Sequence, residues 1–206
     1  MTGSSALLEL NAVELSRGGR TLISDLSLTL APGQLALVTG PNGSGKTTLL
    51  RAIAGLADPD RGQIRLGGVP VRRLEPEARA GLAYLGHLDG LKRDLTVEEN
   101  IRFYSALRHV SENPSQVVAE AGLAPFAHRS VRQLSAGQKR RIVLAVLRLS
   151  GARLWLLDEP LTNLDRPGRE LVARWLDRHL AGQGIAVVAT HLAEALERPG
   201  ALLVEL

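Results

Sequence analysis

The sequence predicts a mixed α/β domain built on a parallel sheet, preceded by an antiparallel β edge and interrupted by an α-helical insert. Three observations support this fold class. A Gly-rich loop separates an apolar strand from a helix, short apolar runs recur in both halves of the chain, and the hydrophobic period between them is helical. The chain has 206 residues, of which 45% are hydrophobic and 22% charged, so we expect one domain with one sizeable core.

The beginning of the chain predicts an antiparallel β edge. Residues 8–15 have strand character, the segment RGGR at 17–20 is typical of a turn, and three leucines alternate along the strand at 22–30. Pro32 and Gly33 then end the second strand. We therefore expect a hairpin-like pair of strands at the edge of the domain.

The elements of the core alternate between strands and helices. Residues 34–40 and 81–86 are short apolar runs of the kind buried inside a parallel sheet, and residues 62–68 return to a strand between them. A helix is predicted to begin at Gly45 or Lys46. In the second half the pattern resumes with a strand at 154–159, a helix that carries Leu171, Val172, Trp175 and Leu176, a strand at 185–190 and a last strand at 201–206.

The middle of the chain predicts an α-helical insert. Thr96 followed by Glu99, and Ser135 followed by Gln138, each fit a capping box, in which two side chains satisfy N–H groups at a helix start. Apolar residues at helical spacing also follow Pro114. The predicted division is one domain over 1–206, with its α/β core at 1–88 and 152–206 and its helical subdomain at 89–151.

Composition excludes several classes of function. The chain has no cysteine, which excludes disulfides, thiolate catalysis and cysteine-ligated metals. It has no run of about 18 apolar residues and no secretory leader at its start, so we expect a cytosolic protein. Residues 92–148 hold ten Lys or Arg against five Asp or Glu. Such a basic segment fits a solvated helical face, an anionic membrane surface or nucleic acid, and an aromatic content of 3% makes nucleic acid the weakest of the three.

The Gly-rich loop carries the first chemical signal. The sequence GPNGSGKT at 40–47, which we call the phosphate loop, matches G-x-x-x-x-G-K-[ST] after a strand and before a helix, as that motif requires. A Gly-rich turn alone would explain neither Lys46 nor the flanking elements. We expect Lys46 to reach the β- and γ-phosphates and Thr47 to bind Mg²⁺. The predicted phosphate-binding residues are Gly40, Pro41, Asn42, Gly43, Ser44, Gly45, Lys46, Thr47 and Thr48.

Two adjacent acids carry the second signal. Asp158 and Glu159 follow four apolar residues at the predicted end of a strand, where open α/β sheets bind ligands. Asp158 can hold Mg²⁺, directly or through water, and Glu159 can orient and deprotonate an attacking water. The alternative is that these acids only cap the next loop. The phosphate loop in the same chain favours the catalytic interpretation.

The third signal is LSAGQ at 134–138, which we call the LSAGQ segment. Its residues Ser135, Ala136 and Gly137 lie at a predicted helix N-terminus, where the helix dipole and unpaired N–H groups favour an anion. The segment lies far along the chain from the phosphate loop. The pattern alone leaves open which phosphate it binds.

These motifs, in this order, resemble the nucleotide-binding subunits of ABC transporters, and the resemblance covers nearly the whole chain. The LSAGQ segment is similar to the family signature, usually LSGGQ, while LTNLD at 161–165 looks like the D-loop and His191 like the switch histidine. The resemblance implies a P-loop NTPase fold, ATP and Mg²⁺ as ligands, and a second copy of the chain paired head to tail around two ATP molecules. It assigns catalysis to Lys46, Glu159 and His191, and binding of the partner's nucleotide to Ser135 and Gly137, with Gln138 and Asp165 added to the nucleotide-binding set.

Two positions depart from the usual pattern of this family. Arg17 stands where an aromatic residue usually stacks on adenine, and its planar guanidinium can stack on the base instead. His87 stands where the family has its Q-loop glutamine. A neutral His87 can hydrogen-bond the attacking water or the Mg²⁺ shell, with added pH sensitivity, so we assign it both a catalytic and a metal role.

A more particular resemblance rests on the compact length, Gly-His at 86–87, the residues GLK, LT and EN that follow between 90 and 100, and the arginine pair at 140–141. Together these features resemble the ATPase subunits of bacterial cytochrome c maturation complexes, which are associated with haem export. The resemblance implies integral membrane permease subunits as partners and a peripheral position on the cytoplasmic face of the inner membrane. The chain has no C-x-x-C-H motif, and we expect neither direct haem binding nor direct nucleic-acid binding.

Two other classes of function compete with a membrane exporter. A soluble ABC ATPase acting on ribosomes or DNA usually carries two cassettes or a long coiled-coil insert, whereas this chain has one cassette and no heptads. A small-molecule phosphotransferase would leave both the LSAGQ segment and His191 unexplained. We therefore expect the ATP-hydrolysing subunit of a membrane exporter.

Overall fold

The computed structural model describes residues 7–86, 90–107 and 113–206. The strands along these residues are β1 (Leu8–Arg17), β2 (Arg20–Leu30), β3 (Leu35–Thr39), β4 (Arg61–Leu66), β5 (Val69–Pro70), β6 (Leu82–Leu85), β7 (Leu154–Asp158), β8 (Ile185–Ala189) and β9 (Leu202–Glu205). The helices are α1 (Lys46–Ile53), α2 (Pro76–Ala80), α3 (Val97–Leu107), α4 (Pro114–Glu120), α5 (Ala136–Leu149) and α6 (Arg166–Ala181). Within the described ranges, no helix combines the length and the apolar character that crossing a membrane requires.

The first sheet is antiparallel and has the strand order β2-β1-β4-β5. β1 and β2 form a hairpin in which Leu8 lies opposite Leu30. Gly18 and Gly19 turn the chain with φ of 59° and 78°. Positive φ at both central residues occurs in the hairpin turns that match strand twist, and glycine adopts it without steric cost. The predicted antiparallel edge is confirmed.

The second sheet is parallel and has the strand order β6-β7-β8-β3-β9. β7 and β8 are buried along their whole length, as expected for strands covered on both faces. Their side chains alternate between two cores. Leu154 and Leu156 pack with α1 and the antiparallel sheet, whereas Trp155 and Leu157 pack with α5 and α6. The parallel sheet is therefore the middle of three layers.

The strand predicted at 81–86 differs from the expectation. Its core, β6, lies at the edge of the parallel sheet, and Leu82 and Tyr84 are only half-buried whereas Ala83 and Leu85 are buried. The prediction of a fully buried strand is wrong for this element. An apolar run shows that a segment packs, but the place of the strand in the sheet is set by pairing with distant residues.

The helical insert begins its helices as the sequence predicts. The Thr96 N–H donates to Glu99 at 2.8 Å and the Glu99 N–H donates back to Thr96 at 3.2 Å. Ser135 and Gln138 exchange the same two hydrogen bonds at 2.9 and 3.2 Å. One cluster of buried side chains continues from these helices into the parallel sheet, and the predicted division between core and subdomain stays a prediction.

The loop that enters α3 depends on Asn100, which is fully buried. Its side-chain carbonyl accepts from the Lys92 N–H at 2.9 Å, and its amide donates to the carbonyls of Lys92 and Thr96 at 2.9 Å. A buried amide is stable only when its hydrogen-bonding groups have partners. Asn100 therefore supplies the acceptor of the Lys92 N–H and adds hydrogen bonds to the backbone pairing of this loop, a role that sequence analysis did not predict.

The basic segment at 92–148 pairs part of its charge within itself. Three of its arginines form ion pairs with acids of the same segment: Arg102 with Glu98 at 3.1 Å, Arg132 with Asp94 at 2.6 Å and Arg148 with Glu120 at 3.3 Å. This pairing favours the interpretation of a solvated helical face.

Candidate functional site

The phosphate loop connects β3 to α1 at the carboxyl edge of the parallel sheet. Its backbone is left-handed at Gly40, with φ 139°, and at Gly45, which caps α1 with φ 113°. A Cβ on Gly40 would lie under 3.0 Å from the carbonyl oxygen of Leu206, so β9 closes tightly on the loop from one side. Only glycine fits both the angle and the space at this position.

Two side chains of the phosphate loop are arranged as phosphate ligands require. Lys46 is 7% exposed as a residue, and its ammonium donates to the carbonyls of Gly40 and Pro41 at 2.7 and 3.0 Å. The Ser44 hydroxyl oxygen is buried and has no hydrogen-bond partner among the described residues. A buried polar atom without a partner costs free energy unless a ligand or water completes it. Both groups therefore fit an anion held in the loop.

Asp158 and Thr47 offer two oxygen atoms to a cation. Asp158 ends β7 with 1% exposure, and the Thr47 hydroxyl donates to its carboxylate at 2.8 Å. The charge of Asp158 also acts on the neighbouring Tyr84. Burial raises the pKa of the Tyr84 phenol, the negative charge of Asp158 raises it further, and the positive charge of Arg51 lowers it. Mg²⁺ prefers oxygen ligands and usually combines one or two protein groups with phosphate oxygens and water. The pair therefore fits a Mg²⁺ shared with a bound phosphate chain.

Glu159 lies in an unusual backbone conformation beside the same strand end. Its φ is 48°, in the left-handed region that residues other than glycine seldom adopt. Its N–H donates to the carbonyl of Ala189 at 2.8 Å, and one carboxylate oxygen lies 2.9 Å from Nδ1 of His191. His191 is 61% exposed, whereas the Glu159 carboxylate is 16% exposed. The structure thus joins the two residues predicted as base and switch histidine.

One cavity of about 370 Å³ brings most of the predicted site together. It is lined by Arg17, Leu22, Asn42, Gly43, Gly45, Lys46, Thr47, Thr48, Asp158 and Glu159. Arg17 lies at this cavity as predicted, and Leu22 beside it is an apolar wall that sequence analysis did not identify. The predicted residue His87 lies outside the described residues.

The LSAGQ segment lines a different cavity, of about 550 Å³. The two cavities share no lining residue. The second is lined by Gly122, Leu123, Phe126, Ser135, Ala136, Gly137, Gln138, Arg141, Asn163 and Asp165. Ser135 and Gly137 therefore do not line the cavity of the chain's own phosphate loop, while Ala136 lines a third cavity that also contains Glu159.

Several predicted ligands at the second cavity also serve the chain's own structure. The Gln138 side chain and the Ser135 hydroxyl complete the capping box of α5, which leaves the hydroxyl proton of Ser135 free to be donated. Asp165 caps α6 by accepting from the Gly168 N–H at 3.0 Å and pairs with Arg141 at 2.6 Å. The hydrogen bond from Arg141 lowers the pKa of Asp165. The nucleotide roles of these residues stay predictions.

Sequence analysis missed one residue behind the catalytic acids. Arg140 reaches from α5 to the carbonyls of Asp158 and Glu159 at 2.9 and 2.7 Å. The only signal in the sequence was the pair of arginines that follows the LSAGQ segment, and a basic pair on a helix is usually solvated.

The fold and this cavity are those of a P-loop nucleotide hydrolase, because the phosphate loop, the Thr47 and Asp158 pair and Glu159 lie together at the carboxyl edge of a parallel sheet. The family described as "ABC transporter" matches residues 23–162 of the chain. The chain belongs to the ABC transporter family, as one of its ATP-binding and ATP-hydrolysing subunits. The resemblance inferred from the motifs is confirmed.

Known proteins similar to this chain share most of its length. The cytochrome c biogenesis ATP-binding export protein CcmA of Xanthomonas campestris (strain 8004) is 46% identical and the alignment covers 92% of this chain and 88% of that protein. The protein of the same name from Nitrosomonas europaea is 43% identical, with 92% of each chain covered. The ATP-binding cassette MJ0796, solved as a dimer in a post-hydrolysis state with ADP and Pi, has a TM-score of 0.77 at 22% identity and covers 92% of this chain and 90% of that one. That structure supports the fold.

Proposed function

We propose that this chain hydrolyses Mg·ATP as the energy-supplying subunit of a membrane export complex that serves cytochrome c biogenesis. The observation that carries the proposal is the convergence of Lys46, the Thr47 and Asp158 pair, and Glu159 on one cavity. The link to export and to cytochrome c biogenesis is supported by the names of relatives that match over most of their length.

The phosphate loop binds the phosphate chain of ATP in this proposal. Lys46 already points its ammonium along the loop, and the Ser44 hydroxyl is a buried donor that a phosphate oxygen would satisfy. Thr47 and Asp158 would hold Mg²⁺, which supplies positive charge to the phosphate oxygens when bound. Arg17 and Leu22, which line the same cavity, are proposed to enclose the base.

Glu159 is the proposed general base. Its carboxylate accepts a proton from the attacking water and orients that water toward the γ-phosphate. Nδ1 of His191 lies 2.9 Å from this carboxylate and orients it, and the His191 ring lies at the exposed side of the site. His87 is proposed to act on the same water or on the Mg²⁺ shell.

Two copies of the chain are proposed to enclose two ATP molecules head to tail. The separation of the two cavities supports this arrangement, because Ser135 and Gly137 do not line the cavity of the chain's own phosphate loop. The unpaired N–H groups of the first turn of α5 and the hydroxyl proton of Ser135 would then reach the partner's γ-phosphate. Closure requires ATP on both subunits, and loss of the γ-phosphate lets the two subunits part.

The membrane partners are proposed to be integral permease subunits, with this chain peripheral on the cytoplasmic face of the inner membrane. Haem is the proposed cargo class, and the permease subunits rather than this chain would contact it. ATP-driven closure of the pair supplies the free energy for their movement.

The arrangement in trans is tested best at Ala136. This residue is exposed at the first position of α5, where an added carboxylate is compatible with the helix and favourable by about 0.3–1 kcal/mol. Gly137 is a poorer choice, because a Cβ there would lie 2.6 Å from the carbonyl oxygen of Asn163. We therefore compare A136D with A136G, both in an E159Q background, which we expect to bind ATP but to hydrolyse it poorly.

The measurement is light scattering after size exclusion, with and without Mg·ATP, together with ATP binding at equilibrium. We expect E159Q and E159Q/A136G to dimerise with Mg·ATP, and E159Q/A136D to stay monomeric while it binds ATP with unchanged affinity. Loss of ATP binding by monomeric E159Q/A136D would show that the LSAGQ segment serves its own site.

The membrane partner is tested by purification from cells. The tagged chain should co-purify from detergent-solubilised membranes with integral membrane proteins, and the interaction should survive high salt. Recovery with ribosomes or DNA instead would favour the soluble class of ABC ATPase.

A further inference from the structure

Arg140 occupies an unusual place for a charged side chain. It belongs to α5, five residues after the Ser135 cap, and its guanidinium crosses to the carboxyl end of β7. There it donates to four main-chain carbonyls: Glu159 at 2.7 Å, Asp158 at 2.9 Å, Gly86 at 3.3 Å and Pro160 at 3.4 Å. The planar fork of arginine is the side chain that can hold several such acceptors at once.

The environment of Arg140 shows that these hydrogen bonds are not incidental contacts of a solvent-exposed side chain. Burial lowers the pKa of its guanidinium, and the negative charges of Asp158 and Glu159 oppose that shift. Burying an arginine is costly unless its N–H groups have acceptors, and here the chain supplies carbonyls from two separate segments. The surrounding main chain therefore provides acceptors that accommodate a buried arginine at this position.

The carbonyls that Arg140 holds belong to the residues that carry the chemistry. Glu159 has a left-handed backbone, which persists in a non-glycine residue only when its surroundings fix it on several sides. Its N–H is held by Ala189, and its carbonyl is held by Arg140. These two contacts fix the peptide on each side of the Glu159 Cα, and thereby the direction in which the carboxylate leaves the chain.

We propose that Arg140 is a positioning residue for ATP hydrolysis, which fixes the Glu159 carboxylate and couples its direction to the helix that carries the LSAGQ segment. When α5 moves, the guanidinium of Arg140 moves the peptide of Glu159 with it. The carboxylate is then aligned for the attacking water only when α5 is in the position that a bound partner nucleotide imposes. This inference rests on the proposed function for the role of Glu159 as the base.

The test compares R140M and R140K with R148M. Arg148 is a matched control, because it is a partly buried arginine of the same helix that pairs with Glu120 and lies over the Trp175 ring, away from the nucleotide cavity. Purified full-length variants are assayed for kcat and KM of ATP hydrolysis, for ATP affinity and for thermal stability. E159Q and E159Q/R140M complete a double-mutant cycle.

We expect R140M to lower kcat by about tenfold or more, as loss of alignment does, while ATP affinity stays within about threefold. R140K should recover part of the loss, because an ammonium can hold some of the four carbonyls. R148M should keep kcat within about twofold even where it loses as much thermal stability as R140M. In the E159Q background, R140M should cause no further loss.

The outcomes separate this inference from the proposed function. If E159Q loses hydrolysis but R140M keeps the kcat of R148M, Glu159 remains the base and the role of Arg140 is refuted. An equal further loss from R140M in the E159Q background also refutes it, because Arg140 would then act without Glu159. If E159Q keeps the turnover of the original chain, the proposed base is wrong and the positioning role falls with it.

Discussion

The contact between the phosphate loop and the last strand yields a prediction whose size follows from the structure. The change is Gly40→Ala. Gly40 has φ 139°, and a Cβ there would lie under 3.0 Å from the carbonyl oxygen of Leu206 and 2.9 Å from the Ser44 hydroxyl. The nearest atom is a main-chain oxygen of Leu206, and the Leu206 N–H donates to the Thr39 carbonyl at 3.0 Å, which holds this residue beside the loop.

Three effects combine in this substitution. Backbone strain at such a φ costs about 1–3 kcal/mol. Overpacking against a carbonyl adds about 1–3 kcal/mol. The smaller entropy of the unfolded alanine chain returns about 0.4–1 kcal/mol. We therefore expect a loss of about 3 kcal/mol in the free energy of unfolding, which for a chain of this size is a fall in Tm of roughly 6–12 °C.

The matched control is Gly67→Ala. Gly67 is also left-handed, with φ 57°, but a Cβ there would have nothing within 4 Å, so we expect a loss of only about 1 kcal/mol. Urea unfolding without nucleotide measures both, with the midpoint shifting and the m-value unchanged. Equal losses for the two variants would refute the argument, since the contacts of Gly40 with Leu206 and Ser44 would then contribute nothing.

Four further predictions follow from single residues. Lys46→Ala should lower ATP hydrolysis by about a hundredfold or more with little change in far-UV circular dichroism, because the ammonium acts on phosphate charge; turnover at the original rate would contradict the phosphate-loop assignment. Asn100→Leu should cost about 1–3 kcal/mol in urea unfolding, because it removes the acceptor of the Lys92 N–H; a neutral result would show that water replaces the amide. Gly184→Ala should cost about 1–3 kcal/mol, because its Cβ would overlap the ring of His179, which is stacked on Trp155 at 4.0 Å; an unchanged midpoint would mean that the stack moves freely. Burial lowers the pKa of His179, so below its ordinary pKa of about 6.5 the unfolded chain binds more protons than the folded chain, and stability falls as the pH drops. Unfolding midpoints at pH about 7.5 and about 5.5 should therefore differ less in His179→Gln, and an unaltered difference would exclude this histidine as the source.

The local elements of the fold could be predicted because their causes are close together in the sequence. The capping boxes at Thr96 and Ser135 each join residues three apart, and the hairpin turn at Gly18 depends on its own backbone. The edge position of β6 could not be predicted in this way. It depends on pairing between Leu82 and Leu154, which the pattern of either segment does not specify.

The candidate site likewise has features that the sequence predicts and features that depend on distant contacts. Motifs with fixed spacing identified Lys46, Asp158 and Glu159, because their chemistry requires particular residue types beside a strand end. The separation of the LSAGQ segment from the phosphate loop, the closure of β9 on Gly40 and the contact of Arg140 with the acids were not predictable from spacing.

The sequence by itself was enough to predict which groups would bind phosphate and which acid would face water, since those predictions rest on side chains and short loops. Only the tertiary structure decided how these groups are held. Arg140 and Glu159 are 19 residues apart, and the Leu206 carbonyl reaches Gly40 from the other end of the chain. Contacts of this kind depend on how strands pair and helices pack over long separations. Many sequences satisfy the same local pattern, so the pattern cannot specify which distant atoms meet.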